Sequence, residues 1–315
     1  MSDAGKPPTV SAIITVYNKA PFLPDTIRSL RRQLEDETEV EYVFADDASS
    51  DDSVAIIKDL MADAPRVQLI ENTDNHGPSV RLNQAAAAAA GRYFYFLDGD
   101  DIATKGAIAG MLRLLKEEQA DFIYGKTAKR APEGADLLDL AADPNAPHRV
   151  SRRPLETVLG GGFVRMALMC RRDIFKASGG ADEHIFVQDE SLPLRLAANA
   201  ARLIDWQANV ITPPPSTEGG VKVSGNKNQL HHDAFLAYRN ALHAFGQDYP
   251  DLAPKLYARA VSAYWKYARR QPGAAITKRG FWHYLQSKVG TTSPRWDVLT
   301  WMANDLSKIP NVRRV

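Results

Sequence analysis

The sequence predicts an α/β fold, a mixed and mostly parallel sheet flanked by helices with a helical extension behind it, and three observations carry that expectation. Apolar runs rich in β-branched and aromatic residues at 9–16, 39–45, 67–71 and 93–97 alternate with helix-forming stretches at 21–34, 54–61, 79–90 and 105–118, the order of strands and crossover helices. The loops after these runs are polar and often acidic, so charge collects where strands end, the edge of an open α/β sheet at which ligands bind. Beyond residue 230 only helical segments follow, which divides the 315 residues into a first domain over 1–230 and a helical, basic and aromatic region over 231–315.

Taken in order, residues 9–16 are a β-branched strand that Tyr17-Asn18-Lys19 breaks before a helix beginning near Pro21. Residues 39–45 form a second strand, and the hydroxyls and carboxylates of 46–53 are suited to cap a helix over 54–61. A third strand at 67–71 leads through a loop at 72–78 to a helix over 79–90, whose alanine run favours helix and whose end is marked by Gly91. Residues 93–97 read as a short buried strand that runs straight into Asp98, Asp100 and Asp101. A helix at 105–118 and a strand at 121–124 follow, then a Pro-, Asp-, Ala- and Arg-rich insertion over 131–154 of the kind that shapes a binding cleft. A strand at 163–170 and a helix at 189–201 flank Gly179-Gly180-Ala181-Asp182-Glu183, and the proline cluster after Thr212 opens a polar, aperiodic stretch at 221–229 with the composition of a lid. From His231 onward the chain is helical, interrupted at Pro250, Pro272 and Pro294.

Composition excludes several function classes. With 39 basic and 38 acidic residues overall there is no case for nucleic acid, yet from Leu252 onward Lys and Arg outnumber Asp and Glu 12 to 2, and four of the five tryptophans lie there. Tyr257, Tyr264, Trp265, Tyr267, Phe281, Trp282 and Tyr284 between basic residues suit an interfacial helix on anionic lipid; they equally suit helices packing their aromatics inward. The single cysteine, Cys170, excludes an intramolecular disulfide and a cysteine zinc site, and its apolar neighbours mark a buried strand thiol. Residues 1–8 lack the apolar core of a signal peptide, and no window approaches the roughly 18 apolar residues of a spanning helix. The expected location is cytoplasmic, with at most a peripheral contact on the membrane face.

Three carboxylates within the four positions 98–101 repel one another unless water or a cation intervenes, and a divalent metal is the natural guest. A solvated acidic turn is the bland alternative. An EF-hand is excluded, because Ala103 and Ala109 stand where its glycine and glutamate belong. A P-loop is absent as well.

Five segments together resemble the inverting family 2 glycosyltransferases of the GT-A fold: Val10 to Asn18, Asp46-Asp47-Ala48-Ser49-Ser50-Asp51, Asn75 to Asn83, Leu97-Asp98-Gly99-Asp100-Asp101, and Gly179 to Glu183 followed by Gln188 to Leu196. The resemblance covers roughly residues 9–200. It implies that Tyr17 stacks on the nucleotide base, that Asp47 accepts a base N–H, that Arg81 lies near the base or phosphates, and that Asp100 binds the ribose. Asp101 would ligate Mn2+ or Mg2+, Asp98 would complete the D-x-D pattern, and His231, or the adjacent His232, would be a third ligand. Asp189 would be the general base, although Gln188 stands where the family usually has glutamate; Glu190 is a substitute base. For Asp47 and Asp189 a helix-capping role is the alternative, for Arg81 a surface arginine, for the histidines solvated groups. Lys222, Ser224, Asn226 and Lys227 would close over the diphosphate. No Gln-x-x-Arg-Trp pattern occurs, which speaks against a processive polysaccharide synthase. The implied function is metal-dependent hexosyl transfer from a nucleotide-sugar, a UDP-sugar by family frequency, to a hydroxyl of a glycan or glycolipid acceptor in assembly of a bacterial surface glycan. The alternatives are a non-catalytic nucleotide-sugar-binding relative, which Gln188 favours, and a sugar nucleotidyltransferase, which lacks its Gly-rich basic loop here.

Overall fold

Four parallel strands, β1 (Val10–Val16), β2 (Val40–Asp46), β3 (Val67–Ile70) and β4 (Tyr93–Asp98), follow the apolar runs of the sequence to within about a residue. The computed structural model describes residues 8–33, 39–128, 136–161, 166–213, 226–273, 277–289, 293–309 and 312–313. Between the strands lie α1 (Leu23–Arg31), α2 (Ser53–Leu60) and α3 (Pro78–Ala88). β4 leads through the two-residue β5 (Ile102–Ala103) into α4 (Ala107–Glu117) and β6 (Phe122–Thr127). The second half adds β7 (His148–Ser151), α5 (Pro154–Gly160), β8 (Leu168–Arg171), α6 (Arg172–Ser178), α7 (Gln188–Asn199) and β9 (Leu203–Thr212).

The strand order is β3-β2-β1-β4-β8-β6-β9-β5, with β7 on β9. β3, β2, β1 and β4 are mutually parallel, while β8 is antiparallel to both β4 and β6. Because the first four strands point the same way, the residues that end β1, β2 and β4 arrive at one edge: Val16 pairs with Asp46 and Thr15 with Asp98. Along β4 the side chains alternate, Phe94 and Phe96 entering one apolar layer, Tyr93, Tyr95 and Leu97 the other. Burial on both faces is why this strand reads as an unbroken apolar run. Gly91 is required where α3 returns to β4, since a Cβ there would meet the Ser11 backbone nitrogen at 2.6 Å.

Two expected elements differ in the structure. The 131–154 insertion is in part strand: β7 pairs antiparallel with β9, and its polar composition suits an edge. The segment 203–212 is the longest strand among the described residues; Trp206, Ala208 and Val210 are buried between partly or fully exposed Asp205, Gln207 and Asn209, a period-two pattern its polar positions conceal in the sequence. Of the strand expected at 163–170, positions 163–165 lie outside the described residues, as do 221–225 of the lid with Lys222 and Ser224.

Behind the sheet stand α8 (Lys227–Phe245), α9 (Ala253–Ala268), α10 (Arg279–Lys288) and α11 (Trp296–Leu306), separated where the prolines predict. Asn226 caps α8 by accepting the Gln229 N–H at 3.1 Å. Leu256, Tyr257, Tyr264, Trp265 and Val298 share one apolar cluster with Phe94, Phe96 and Leu192, so the packing is continuous across residue 230. Most of the aromatics considered for lipid contact are thus packed inward, and Trp282, 52% exposed, is the main exception. No described helix is long and apolar enough to cross a membrane.

Candidate active site

The loop after β1 is stitched to the loop after β2. Asn18 N donates to Ser49 Oγ at 2.9 Å, Ser50 N donates to Asn18 Oδ1 at 2.8 Å, and Lys19 N donates to Ser53 Oγ at 2.8 Å. Asn18 takes a left-handed conformation, φ 51°, which turns the chain back and leaves Tyr17 on the rim, 39% exposed. An exposed ring at a strand end is available for stacking.

Asp47 does more than cap. Its carboxylate accepts from His76 N and Gly77 N, both at 2.8 Å, and from Arg81 Nε at 2.7 Å, with the Asp47 and Arg81 side chains only 4% and 6% exposed. Arg81 also donates to Gln84 Oε1 at 3.2 Å and to the Asp74 carbonyl. The structure therefore joins two expected nucleotide residues into a buried ion pair that pins the β3–α3 loop. The capping alternative holds in form, but for α3 rather than α2. Gly77, at φ 87°, lies directly over Phe186, whose ring a Cβ would meet at 2.7 Å.

At the end of β4 Asp98 Oδ1 accepts from Gln188 Nε2 at 2.9 Å and from Thr15 Oγ1 at 3.4 Å. Burial pushes the Asp98 carboxyl up to about 6, the Asp100 charge adds to this, and Lys19 opposes it. Lys19 Nζ lies 2.6 Å from Asp100 Oδ2, so a cation does sit among these acids, contributed by the chain itself. The Asp101 N–H closes a turn on the Asp98 carbonyl at 2.9 Å.

Among the described residues no group of three or more His, Cys, Asp or Glu forms that could hold a metal. What the strand end offers is crowded carboxylate oxygen, with Asp98 driven toward protonation by burial first and by the Asp100 charge second. That donor set fits Mg2+ or Mn2+, hard cations that one or two carboxylates hold while substrate phosphates and water complete the shell. His231 is engaged elsewhere. Arg270 donates to its Nε2 at 2.9 Å, and burial, then Arg270, Lys266, Arg269 and Lys227, lower its pKa to about 4. A ring nitrogen engaged by a guanidinium and surrounded by cations is a poor seat for a dication. His232 is turned to Asp233 Oδ1 at 2.8 Å.

Asp189 occupies the first turn of α7, with Val187 rather than Asp189 at the N-cap. Its charge contributes, after burial, to raising the Tyr124 phenol. Gln188, where glutamate is usual, is buried and ties the start of α7 to Asp98, so the base candidate stands one residue from the side chain that touches the acids. Glu190 faces elsewhere: burial, then the Asp233 charge, push its carboxyl up to about 7, with Lys266 opposing, which places it against α8 and α9. Cys170 is a buried thiol whose pKa burial raises, as a structural residue requires.

A pH prediction follows from Glu190. Its ordinary value is 4.5 and its folded value about 7, so between these the folded chain keeps a proton that the unfolded chain has released. Stability from neutral Glu190 is present below pH 4.5 and lost as pH rises through 7. Glu190→Gln, neutral throughout, is expected to be more stable than the parent at pH 8 by about 2 kcal/mol, after discounting for partial solvent contact, and equal to it near pH 4.5. Urea titrations at the two pH values check this; equal midpoints at pH 8 would refute it.

Sequence reasoning missed Lys19, Gln188's bond to Asp98, and Arg313. Lys19 was visible as a cation in the β1–α1 loop. Arg313 carried no local signal, since its partner Asn75 lies 238 residues away.

Residues 11–178 match glycosyl transferase family 2. A stretch of 114 residues, 36% of this chain and 36% of the relative, is 30% identical to the Campylobacter jejuni GalNAc(5)-diNAcBac-PP-undecaprenol beta-1,3-glucosyltransferase. The chain spans less than two thirds of the length of the first curated relatives it matches, from 19% to 64%. Among solved structures it superimposes on Staphylococcus aureus TarS 1-349 in complex with UDP-GlcNAc with a TM-score of 0.64, 16% identity, and coverage of 95% of this chain and 88% of that one. The mannosyltransferase PcManGT from Pyrobaculum calidifontis, in complex with GDP-Man and Mn2+, gives a TM-score of 0.58 at 17% identity over 97% of this chain and 89% of that one. At such identities the likeness concerns the fold, which is GT-A. With the acidic strand ends in place and the family match covering more than half of its length, the chain belongs to glycosyl transferase family 2.

Proposed function

We propose that this chain moves a sugar, with inversion at the anomeric carbon, from a UDP-class nucleotide donor to a hydroxyl of a glycan or glycolipid, with a divalent metal held at Asp98–Asp101 and Asp189 as general base. One observation carries the reading: the 2.9 Å Gln188–Asp98 hydrogen bond joins the acidic end of β4 to the start of α7, so both share one rim. Support also comes from the UDP-GlcNAc complex of TarS, the GDP-Man and Mn2+ complex of the mannosyltransferase, and the undecaprenol-linked substrate in the Campylobacter jejuni enzyme's name.

In this reading Tyr17 stacks on the base at the rim. The Asp47–Arg81 pair holds the 75–77 loop in register beneath it, and Lys19 fixes Asp100 for the ribose. Mn2+ or Mg2+, when bound by Asp101 and Asp98, supplies positive charge where the departing diphosphate accumulates negative charge. Asp189 takes the acceptor hydroxyl's proton as that oxygen bonds to the anomeric carbon; the bond from that carbon to phosphate oxygen breaks and its electron pair leaves on the diphosphate.

The test is calorimetric titration with UDP, GDP and dTDP, each with and without Mn2+, on the parent and Asp101→Asn. Metal-dependent binding of one nucleotide, weakened roughly tenfold or more in the variant, is expected. Binding of none of the three would sink the proposal.

A further inference from the structure

Helix α10 turns its small residues inward and its large apolar ones outward. Gly280 and Ser287, seven positions apart and so on one face, are its buried residues. Gly280 lies so close to α9 that a Cβ would meet the Tyr264 ring at 2.6 Å, and the Ser287 hydroxyl donates to the Tyr284 carbonyl at 2.7 Å. Phe281 and Tyr284 flank this seam and pack on Trp265, with ring centroids 5.5 and 6.0 Å away. On the opposite face Trp282, Leu285 and Val289, spaced by three and four residues, are 52%, 36% and 84% exposed. Of the six large apolar side chains exposed among the described residues, three therefore lie on this one helix face. A surface helix ordinarily presents the reverse, its apolar stripe to the core and its polar groups to water. Exposed apolar side chains gathered in one place mark a contact surface.

Charge decides what that surface meets. Residues 252–296 hold nine Lys and Arg and no Asp or Glu. Arg279 and Lys288, both exposed, stand roughly a quarter-turn to either side of the apolar stripe at 3.6 residues per turn. Their charges lie against rings, Arg279 4.4 Å from the Trp301 centroid and Lys288 Nζ 5.4 Å from that of Tyr284, and among the described residues neither forms an ion pair. A second copy of the chain set face to face would bring two such cationic regions together, which repels. An anionic bilayer supplies both complements at one boundary: acyl chain for the stripe, phosphate headgroups for the cations beside it, and the interfacial level at which tryptophan settles. A helix of 10 residues lies in that boundary rather than crossing it.

We infer that α10 is a membrane-interface helix by which the protein docks on an anionic lipid surface, with Trp282, Leu285 and Val289 entering the headgroup boundary and Arg279 and Lys288 facing phosphate. α10 contributes none of the residues assigned to the donor site, so the inference goes beyond that reading and stands or falls apart from it.

The test is co-sedimentation of the full chain, without nucleotide, with vesicles of phosphatidylcholine alone and of phosphatidylcholine mixed with phosphatidylglycerol, at low and physiological salt, beside sedimentation velocity of the protein alone. The parent is expected to bind the mixed vesicles, more weakly as salt rises, and to leave the neutral ones largely free. Leu285→Ser with Val289→Ser, at exposed positions whose change should leave the urea midpoint near the parent's, is expected to weaken binding roughly tenfold or more. Arg279→Gln with Lys288→Gln is expected to do the same. If loss of the Trp301 contact unfolds that variant, Lys288→Gln alone, expected to weaken binding about fivefold, carries the charge arm. No parental binding to the mixed vesicles overturns the inference, as does equal binding by the serine variant. Equal binding to both vesicle types overturns the anionic surface as the partner. A parent that is dimeric in solution, and monomeric with the two serines, assigns the face to a second copy and overturns the inference as well.

Discussion

Asp189→Asn is expected to lower kcat by about 10²–10⁴-fold, the range removed with a general base, while nucleotide affinity and stability stay near the parent's. Asparagine keeps the shape and the place in the first turn of α7, so what is lost is the capacity to take a proton from the acceptor hydroxyl. The neighbouring carboxylate is a poor substitute, because Glu190 is drawn into the packing with α8 and α9 and half protonated near pH 7. Transfer or donor hydrolysis measured beside nucleotide binding checks the point. Activity within a few-fold of the parent would remove Asp189 from the mechanism; loss of nucleotide binding would reassign it to the donor site.

Asp47→Ala is expected to destabilise the fold by about 3–5 kcal/mol, the cost of breaking one side of a buried ion pair. Two effects add. Arg81 is left 6% exposed with only the Gln84 oxygen and the Asp74 carbonyl as acceptors, and the N–H groups of His76 and Gly77 lose the carboxylate they share. Because Asp47 and Arg81 act as one unit, the double variant should cost clearly less than the sum of the single ones. Urea denaturation of the four proteins decides it. A loss below about 1 kcal/mol, with nucleotide affinity reduced, would mean that Asp47 serves the base and not the loop.

Both predictions rest on groups whose place in the chain was legible but whose partners were not. The strand-end acids could be found from pattern: β1, β2 and β4 announce themselves by composition, and parallel strands must deliver their following loops to one edge. Asp47 was visible as a strand-end carboxylate, yet its commitment to His76, Gly77 and Arg81 depends on how closely the β3–α3 loop folds over β2. The same applies to His231, which stands at a plausible position for a ligand but meets Arg270 of α9's end once α8 and α9 pack together. β9 shows the opposite case. Its alternation was in the sequence, obscured because polar residues at 205, 207 and 209 face partly or fully outward in a strand that joins β6, β7 and β5.

By itself, then, the sequence determined the α/β class, the helices broken at Pro250, Pro272 and Pro294, and the edge at which Tyr17, Asp47 and Asp98 to Asp101 meet, since each follows from periodicity, chain breakers and the shared direction of parallel strands. Only the tertiary structure decided what those residues touch. Lys19 reaches Asp100 across 81 residues, Gln188 reaches Asp98 across 90, and Arg313 reaches Asn75 across 238. A hydrogen bond is set by positions within a few tenths of an ångström, and at such separations those positions come from the packing of whole layers rather than from any local spacing of residues.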